Sequence, residues 1–171
     1  MIIDLSSFLD ETINHIHFEG ELEENSIDFG GRKIIFTEPI KCEGNIYKID
    51  GDKLINGDIF FKYEEPCDRC LKPFIQEVRT VLSGRLIEGS GNVYDDDDFE
   101  QIIYYNNDTL DLRDAIMSQI VISLPMKSLC SLECKGLCPR CGADLNNNKC
   151  NCVLENIDPR LEKLKDFFPK K

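Results

Sequence analysis

Residues 40–63, IKCEGNIYKI DGD KLINGDIFFKY, decide the fold. Apolar and polar residues alternate in short runs on both sides of Asp50-Gly51-Asp52, the period of a pleated strand with one face buried. The Asp-Gly pair between the runs supplies the positive φ that a tight hairpin turn demands. Outward from this hairpin the pattern extends from Ile27 to about Ile87. It predicts strands over 26–29, 33–37, 40–49, 53–63 and 74–87, with Gly30-Gly31 as a further turn. Consecutive strands with short connections pair antiparallel, so the expectation is an antiparallel β-meander or an incomplete barrel.

The period changes after the strands. Asp111 is a candidate N-cap, and Leu112, Ala115, Ile116, Ile120, Val121 and Leu124 form a helical stripe that Pro125 ends. Packing across the sheet is the expected use of that stripe. Asp158-Pro159 opens a second predicted helix presenting Leu161, Leu164 and Phe168. The fold class expected is therefore α+β: a sheet packed by one or two helices, followed by a C-terminal cysteine-rich, zinc-knuckle-like module. The body is assigned to 1–125 and the module with the last helix to 126–171.

Residues 88–108 read as an acidic connection. Its run Asp95-Asp96-Asp97-Asp98 lacks the alternating ligands, central Gly and terminal Glu of a calcium loop, and is read as a solvated charge run. His15 and His17 alternate with Ile16 and Phe18, so in a strand they share the polar face; no cysteine or acidic motif at matching spacing makes them metal ligands.

With 171 residues, 42% hydrophobic and 30% charged, the chain has the composition of a folded protein and can bury about 68–70% of its extended surface. No apolar run reaches the roughly 18 residues of a membrane span, and Met1-Ile2-Ile3-Asp4-Leu5 does not resemble an export signal; a cytoplasmic location is expected. The net charge of −12 disfavours an open phosphate backbone or an anionic membrane as partner. The imbalance is uneven, because residues 1–125 hold 11 basic and 26 acidic side chains while 126–171 hold 9 and 6. Contact with nucleic acid is thus expected in the last quarter, and the acidic body suits a basic protein partner.

Nine cysteines stand at 42, 67, 70, 130, 134, 138, 141, 150 and 152. Cys42 shares strand parity with Ile40 and reads as a buried small side chain. The other eight are closely grouped, an arrangement suited to thiolate ligation of metal rather than to a secreted disulfide framework. In Cys138-Pro139-Arg140-Cys141-Gly142 the two-residue spacing points both thiolates at one ion, and the glycine relieves the turn. Cys150-Asn151-Cys152 completes four ligands, with Asn146-Asn147-Asn148 as the connecting turn. Cys67 and Cys70, on a hairpin between Pro66 and Pro73, combine with Cys130 and Cys134 in a second site that staples the hairpin to the tail. The spacing admits another grouping, Cys134, Cys138, Cys141 and Cys150 in one site, as well as eight free thiols. Up to two zinc ions are the cofactor expected.

A catalytic zinc needs an open position and an acid or base, which these segments do not offer. No phosphate-binding glycine loop, nucleophile elbow or Cys-His pair is present. A thiol redox sensor is one alternative, although Cys67 lies between strands instead of at a helix start. A zinc-dependent RNA-binding module is the other. No enzymatic activity and no small-molecule substrate are expected.

The chain resembles the YceD family of bacterial and plastid proteins. The resemblance rests on Ile3-Asp4-Leu5, Phe36-Thr37-Glu38-Pro39, the run from Glu65 through Cys67-Asp68-Arg69-Cys70 to Phe74, Leu124-Pro125-Met126-Lys127, the run from Cys134 to Asn146, and Ile157-Asp158-Pro159-Arg160-Leu161. It covers nearly the whole chain and implies a role in accumulation of large-subunit (23S) ribosomal RNA, hence in ribosome biogenesis. It supplies no catalytic residues and no ligand assignment. The expected function is a non-enzymatic assembly factor that binds a large-subunit precursor, a ribosomal protein or ribosomal RNA. Lys135, Arg140 and Lys149 on the knuckle are the candidate RNA contacts.

Overall fold

A computed structural model describes residues 1–89 and 101–152. Its spine is β6, Asp52–Pro66, a strand of 15 residues and therefore about 50 Å long. One edge of β6 pairs along its whole length with β7, Pro73–Glu88. The other edge is shared. β5, Ile40–Ile49, takes the stretch up to Phe60, and β4, Arg32–Phe36, takes Tyr63 and Glu64. β2, His15–Leu22, continues the sheet beyond β5, and β3, Ser26–Phe29, continues it beyond β4.

All of these pairings are antiparallel, as the short connections predict, but the order is not the expected simple meander, because β4 and β5 each pair with β6 and not with each other. One further pairing is not antiparallel. β8, Gln101–Tyr105, lies parallel to residues 84–88 of β7, where the sequence suggested part of a connection. Ile103 and Tyr105 are buried there, and the Lys53 ammonium donates to the Tyr105 hydroxyl at 2.6 Å. β1, Ile2–Asp4, and β9, Thr109–Asp111, form a separate two-stranded ribbon that the sequence pattern did not reveal. Among the described residues no pairing closes the seven-stranded sheet into a barrel.

One helix, α1 at Arg113–Ser123, covers one face of the sheet. The N-cap is Leu112, one residue later than expected and without a side-chain cap bond, while Asp111 Oδ1 accepts the Arg113 N–H at 3.0 Å from the position before it. Leu112, Ala115, Ile116, Ile120 and Leu124 are buried in the same core as Ile46, Ile55, Ile59, Phe61 and Leu82. Gln119 donates to Thr80 of β7 at 3.0 Å, anchoring the polar margin of the helix. Cys42 is buried in this core, and burial pushes its thiol up to about 11, which keeps it protonated and unreactive at neutral pH. The second predicted helix and the run Asp95–Asp98 lie outside the described residues. No helix among the described residues is long and apolar enough to cross a membrane.

Phe18 explains two glycines within strands. Its register partner is Gly44, and Gly44 in turn lies opposite Gly57. The ring fills the space above both, since a Cβ on either glycine would stand 2.9 Å from Phe18 Cζ. At Gly44 that Cβ would also overlap the Asn56 carbonyl oxygen and Gly57 Cα, neither of which can move without breaking the ladder. Gly44→Ala is expected to cost about 1–3 kcal/mol through overpacking, measured as a lower urea midpoint with an unchanged slope.

Candidate metal centres

The first centre grows from the end of the spine. Pro66 and Pro73 are the last pair of the β6–β7 ladder, and neither can donate a further backbone hydrogen bond. The six residues between them close on themselves: the Cys67 N–H donates to Lys72 O at 2.9 Å and the Leu71 N–H to Cys67 O at 2.8 Å. The turn requires a left-handed residue, and Leu71 occupies it at φ 59° with its side chain exposed. The second knuckle repeats the design. The Cys138 N–H donates to Ala143 O and the Gly142 N–H to Cys138 O, with Gly142 at φ 72° in the place of Leu71.

These two knuckles gather the eight paired cysteines into two quartets. Cys67, Cys70, Cys130 and Cys134 form one, and Cys138, Cys141, Cys150 and Cys152 the other, with all sulfurs of a quartet within 4.8 Å of one another. Cys67 Sγ lies 3.9 Å from Cys134 Sγ, and Cys70 Sγ lies 3.7 Å from Cys130 Sγ. A tetrahedron with metal–sulfur bonds of about 2.3 Å has edges of about 3.8 Å, so the first quartet has the dimensions of a four-thiolate site. The distances are far beyond the roughly 2.05 Å of a disulfide bond. This is the grouping of two hairpin thiols with two tail thiols; the alternative that joined Cys134 to the second knuckle is not formed. His15 and His17 are exposed on β2, and His17 meets Asn45 at 3.2 Å.

Electrostatics divides each quartet. Cys67 is desolvated, yet the backbone N–H groups of Cys130, Cys70 and Arg69 outweigh that and lower its thiol to about 6. Cys130, beside Cys134 and two further thiols, is pushed up to about 12. Cys70 is raised as well, because burial and Cys67 together exceed the help of the Lys72 N–H. In the second quartet the N–H groups of Cys141 and Arg140 lower Cys138 to about 6, while Cys141 and Cys138 push Cys152 up to about 12 and Cys138 raises Cys150. One thiolate forms readily in each quartet, and the raised thiols ionise only against its charge. A divalent cation removes that repulsion.

A buried polar knot carries the tail to the hairpin. The Arg32 guanidinium donates to Pro125 O at 3.0 Å and also to the Glu65 carboxylate and Ser128 Oγ. Ser128 Oγ donates to the other Glu65 oxygen, the Ser128 N–H donates to Asp68 Oδ2 at 2.8 Å, and the Asp68 N–H donates to Ser128 O at 2.8 Å. Glu65 and Ser128 are the buried polar residues of the described chain. Two residues after Ser128 comes Cys130, so the knot sets the approach of the third ligand. Arg69 then holds the far side, donating to Leu132 O at 3.2 Å and Cys134 O at 2.8 Å.

The three candidate RNA contacts are exposed on the second knuckle and its return loop. Lys72, which sequence reasoning passed over, forms an ion pair with Asp144 at 2.6 Å; that cation and the Asn146 N–H hold the Asp144 carboxyl at about 2. Arg32, Glu65, Asp68 and Ser128 were missed too. Their partners are 60 or more residues away, except for Arg32 with Glu65 at 33, and no local period marks such pairs.

The profile of the family described as large ribosomal RNA subunit accumulation protein YceD matches residues 55–168, a span that holds all eight paired cysteines and leaves out the N-terminal marks of the resemblance. Uncharacterized proteins of Mycobacterium tuberculosis and Mycobacterium bovis are each 29% identical over 118 residues, covering 67% of this chain and 55% of the relative. The chain thus spans about half the length of these relatives. A chloroplastic protein of Arabidopsis thaliana, named YCED homolog 1, is 35% identical over 49 residues, 29% of this chain and 15% of its own length. No solved structure matches.

Two outcomes are expected. Arg32→Met leaves Glu65 buried and uncompensated and should destabilise the protein by about 3 kcal/mol, whereas Arg32→Met with Glu65→Gln should recover part of the loss in a double-mutant cycle of urea unfolding. Cobalt(II) added to metal-free protein should give thiolate charge-transfer absorption that weakens with acid. At neutral pH each ion displaces at least the protons of the two raised thiols, Cys70 and Cys130 or Cys150 and Cys152, so apparent affinity should fall at least about hundredfold per pH unit. Below about 6 the slope should steepen as Cys67 and Cys138 take up protons too.

Proposed function

The chain belongs to the YceD family, and we propose that it is a non-enzymatic ribosome biogenesis factor that promotes accumulation of large-subunit (23S) ribosomal RNA by binding an assembly intermediate or a ribosomal protein. The observation that carries this reading is the family match over residues 55–168. Two quartets made only of cysteine support a structural role for metal, because four thiolates complete the shell of a tetrahedral ion and leave no position for substrate. Zinc is the ion that such ligand sets suit. When bound it supplies cross-linking, and the chain's own residues do the rest: Arg32 and Ser128 carry the tail to the hairpin, and Arg69 fixes its return.

The exposed face of the sheet, opposite α1, supports a basic protein partner. Glu19 lies directly opposite Glu43, and Glu43 directly opposite Asp58, a row of three carboxylates across three strands. Like charges so placed cost stability, and Arg79, which pairs with Asp58 at 3.0 Å and also attracts Glu43, offsets part of that cost. A cationic partner would relieve the rest. Direct RNA contact has weaker support, because a quartet of thiolates around a divalent ion keeps a formal charge of −2 that Lys135, Arg140 and Lys149 also serve to balance.

The test is co-sedimentation of the full chain with large-subunit precursors in cells lacking the native copy, with 23S RNA abundance read in parallel. The native chain is expected to travel with the precursors and restore the RNA. Glu19→Lys with Glu43→Lys should reduce both, and reversal of Lys135, Arg140 and Lys149 should do so only if phosphate is contacted. A native chain absent from precursor fractions, with 23S RNA unchanged by its loss, would sink the assembly role.

A further inference from the structure

The loop between Cys141 and Cys150 belongs to the second quartet, yet one of its side chains reaches into the first. Asn146 Nδ2 donates to Cys134 Sγ at 3.5 Å, and Asn146 Oδ1 accepts the N–H of Lys135 at 2.7 Å. The amide therefore grips both the sulfur of a first-quartet ligand and the peptide that follows it. Its orientation is fixed by chemistry, since Nδ2 also donates to Asp144 Oδ1 at 3.0 Å. Turned over, the amide would set its oxygen against a carboxylate and a thiolate.

Two further links cross between the quartets. Asp144 accepts the Asn146 N–H at 2.9 Å and Asn147 Nδ2 at 2.9 Å, and the same carboxylate receives the Lys72 ammonium at 2.6 Å, two residues beyond Cys70. Arg69 O, between Cys67 and Cys70, accepts the N–H of Leu137, the neighbour of Cys138. The approach is close enough to require glycine at 136: a Cβ there would stand 2.8 Å from Arg69 O, and the residue has φ 72°. The segment Lys135-Gly136-Leu137 is thus a wall common to both centres.

From these contacts, and on the reading that each quartet holds a divalent ion, we infer that the two centres fill as one unit, with Asn146 as the positioning residue that couples them. Closing the second quartet orders the 142–150 loop and sets the Asn146 donor against the Cys134 thiolate. A hydrogen bond to a ligand sulfur offsets part of its charge and fixes its direction, and loss of such an outer contact typically lowers metal affinity about 10–100-fold. Coupling is reciprocal, so an ion in the first quartet favours the second by the same factor.

The test uses the full chain, stripped of metal and titrated with zinc, with ions per molecule counted by native mass spectrometry. At one equivalent the native chain is expected to show mainly species with no ion or with two. Asn146→Leu, which fills the space without donating, should let the one-ion species accumulate and lower first-quartet affinity at least about tenfold against a competing chelator. In a second pair of variants, Cys150→Ser with Cys152→Ser should weaken the first centre by the factor by which Cys67→Ser with Cys70→Ser weakens the second. A native chain that fills its centres statistically, or an Asn146→Leu variant with unchanged affinities, overturns the coupling while leaving two metal centres in place. Absence of bound zinc at every concentration overturns the metal reading itself.

Discussion

Every backbone group of a 15-residue strand in the middle of a sheet needs a partner, and β6 sets this demand for the whole protein. No single short strand can meet it. β7 is long enough to do so on one side, whereas on the other β5 and β4 divide the edge between them. That division places Glu65 and the Cys67–Cys70 turn beyond the last β6 residue paired with β5 or β4, at the head of the sheet. There the spine stops at a proline and its last carboxylate meets Arg32. The first cysteine quartet stands where it does because the longest hairpin among the described residues ends there.

Much of this was legible in order. Alternation from Ile27 to Ile87 marked β3 to β7 within a few residues, and the stripe from Leu112 to Leu124 with Asp111 before it marked α1. What was not legible had little local signal. β1 and β9 have 3 residues each and exist because they pair with one another across the length of the chain. β8 has 5 residues close behind a charge run, and its partner lies parallel, so no hairpin announces it. The metal centres divide in the same way. Spacing revealed four cysteine pairs, because a knuckle is a local turn. The knot of Arg32, Glu65 and Ser128 that brings two pairs together is a long-range arrangement of ordinary polar residues. Asn146 read as one of three turn-forming asparagines, and its contact with Cys134 depends on the fold of both knuckles.

The two knuckles also show how much sequence one backbone shape tolerates. Both need a left-handed residue after the second cysteine, and the chain uses Gly142 in one and Leu71 in the other. A side chain costs about 1–2 kcal/mol in that conformation, and Leu71 is 65% exposed, so burial returns little of it. The closed hydrogen bonds of Cys67 with Leu71 and Lys72 hold the turn.

The first quartet has a consequence for how the protein is made. Its two halves are separated by about 60 residues of chain, including β7, β8, β9 and α1. At roughly 5–20 residues per second, the tail cysteines leave the ribosome about 3–12 s after the hairpin cysteines. β2 to β7 have all been synthesised by then, so the sheet can pair before its fastening is available. Until then Cys67 and Cys70 have only each other as ligand partners in this quartet. Closure of this quartet waits until synthesis passes Cys134, and the wall it shares with the second centre forms only after Leu137 and Asn146 have followed.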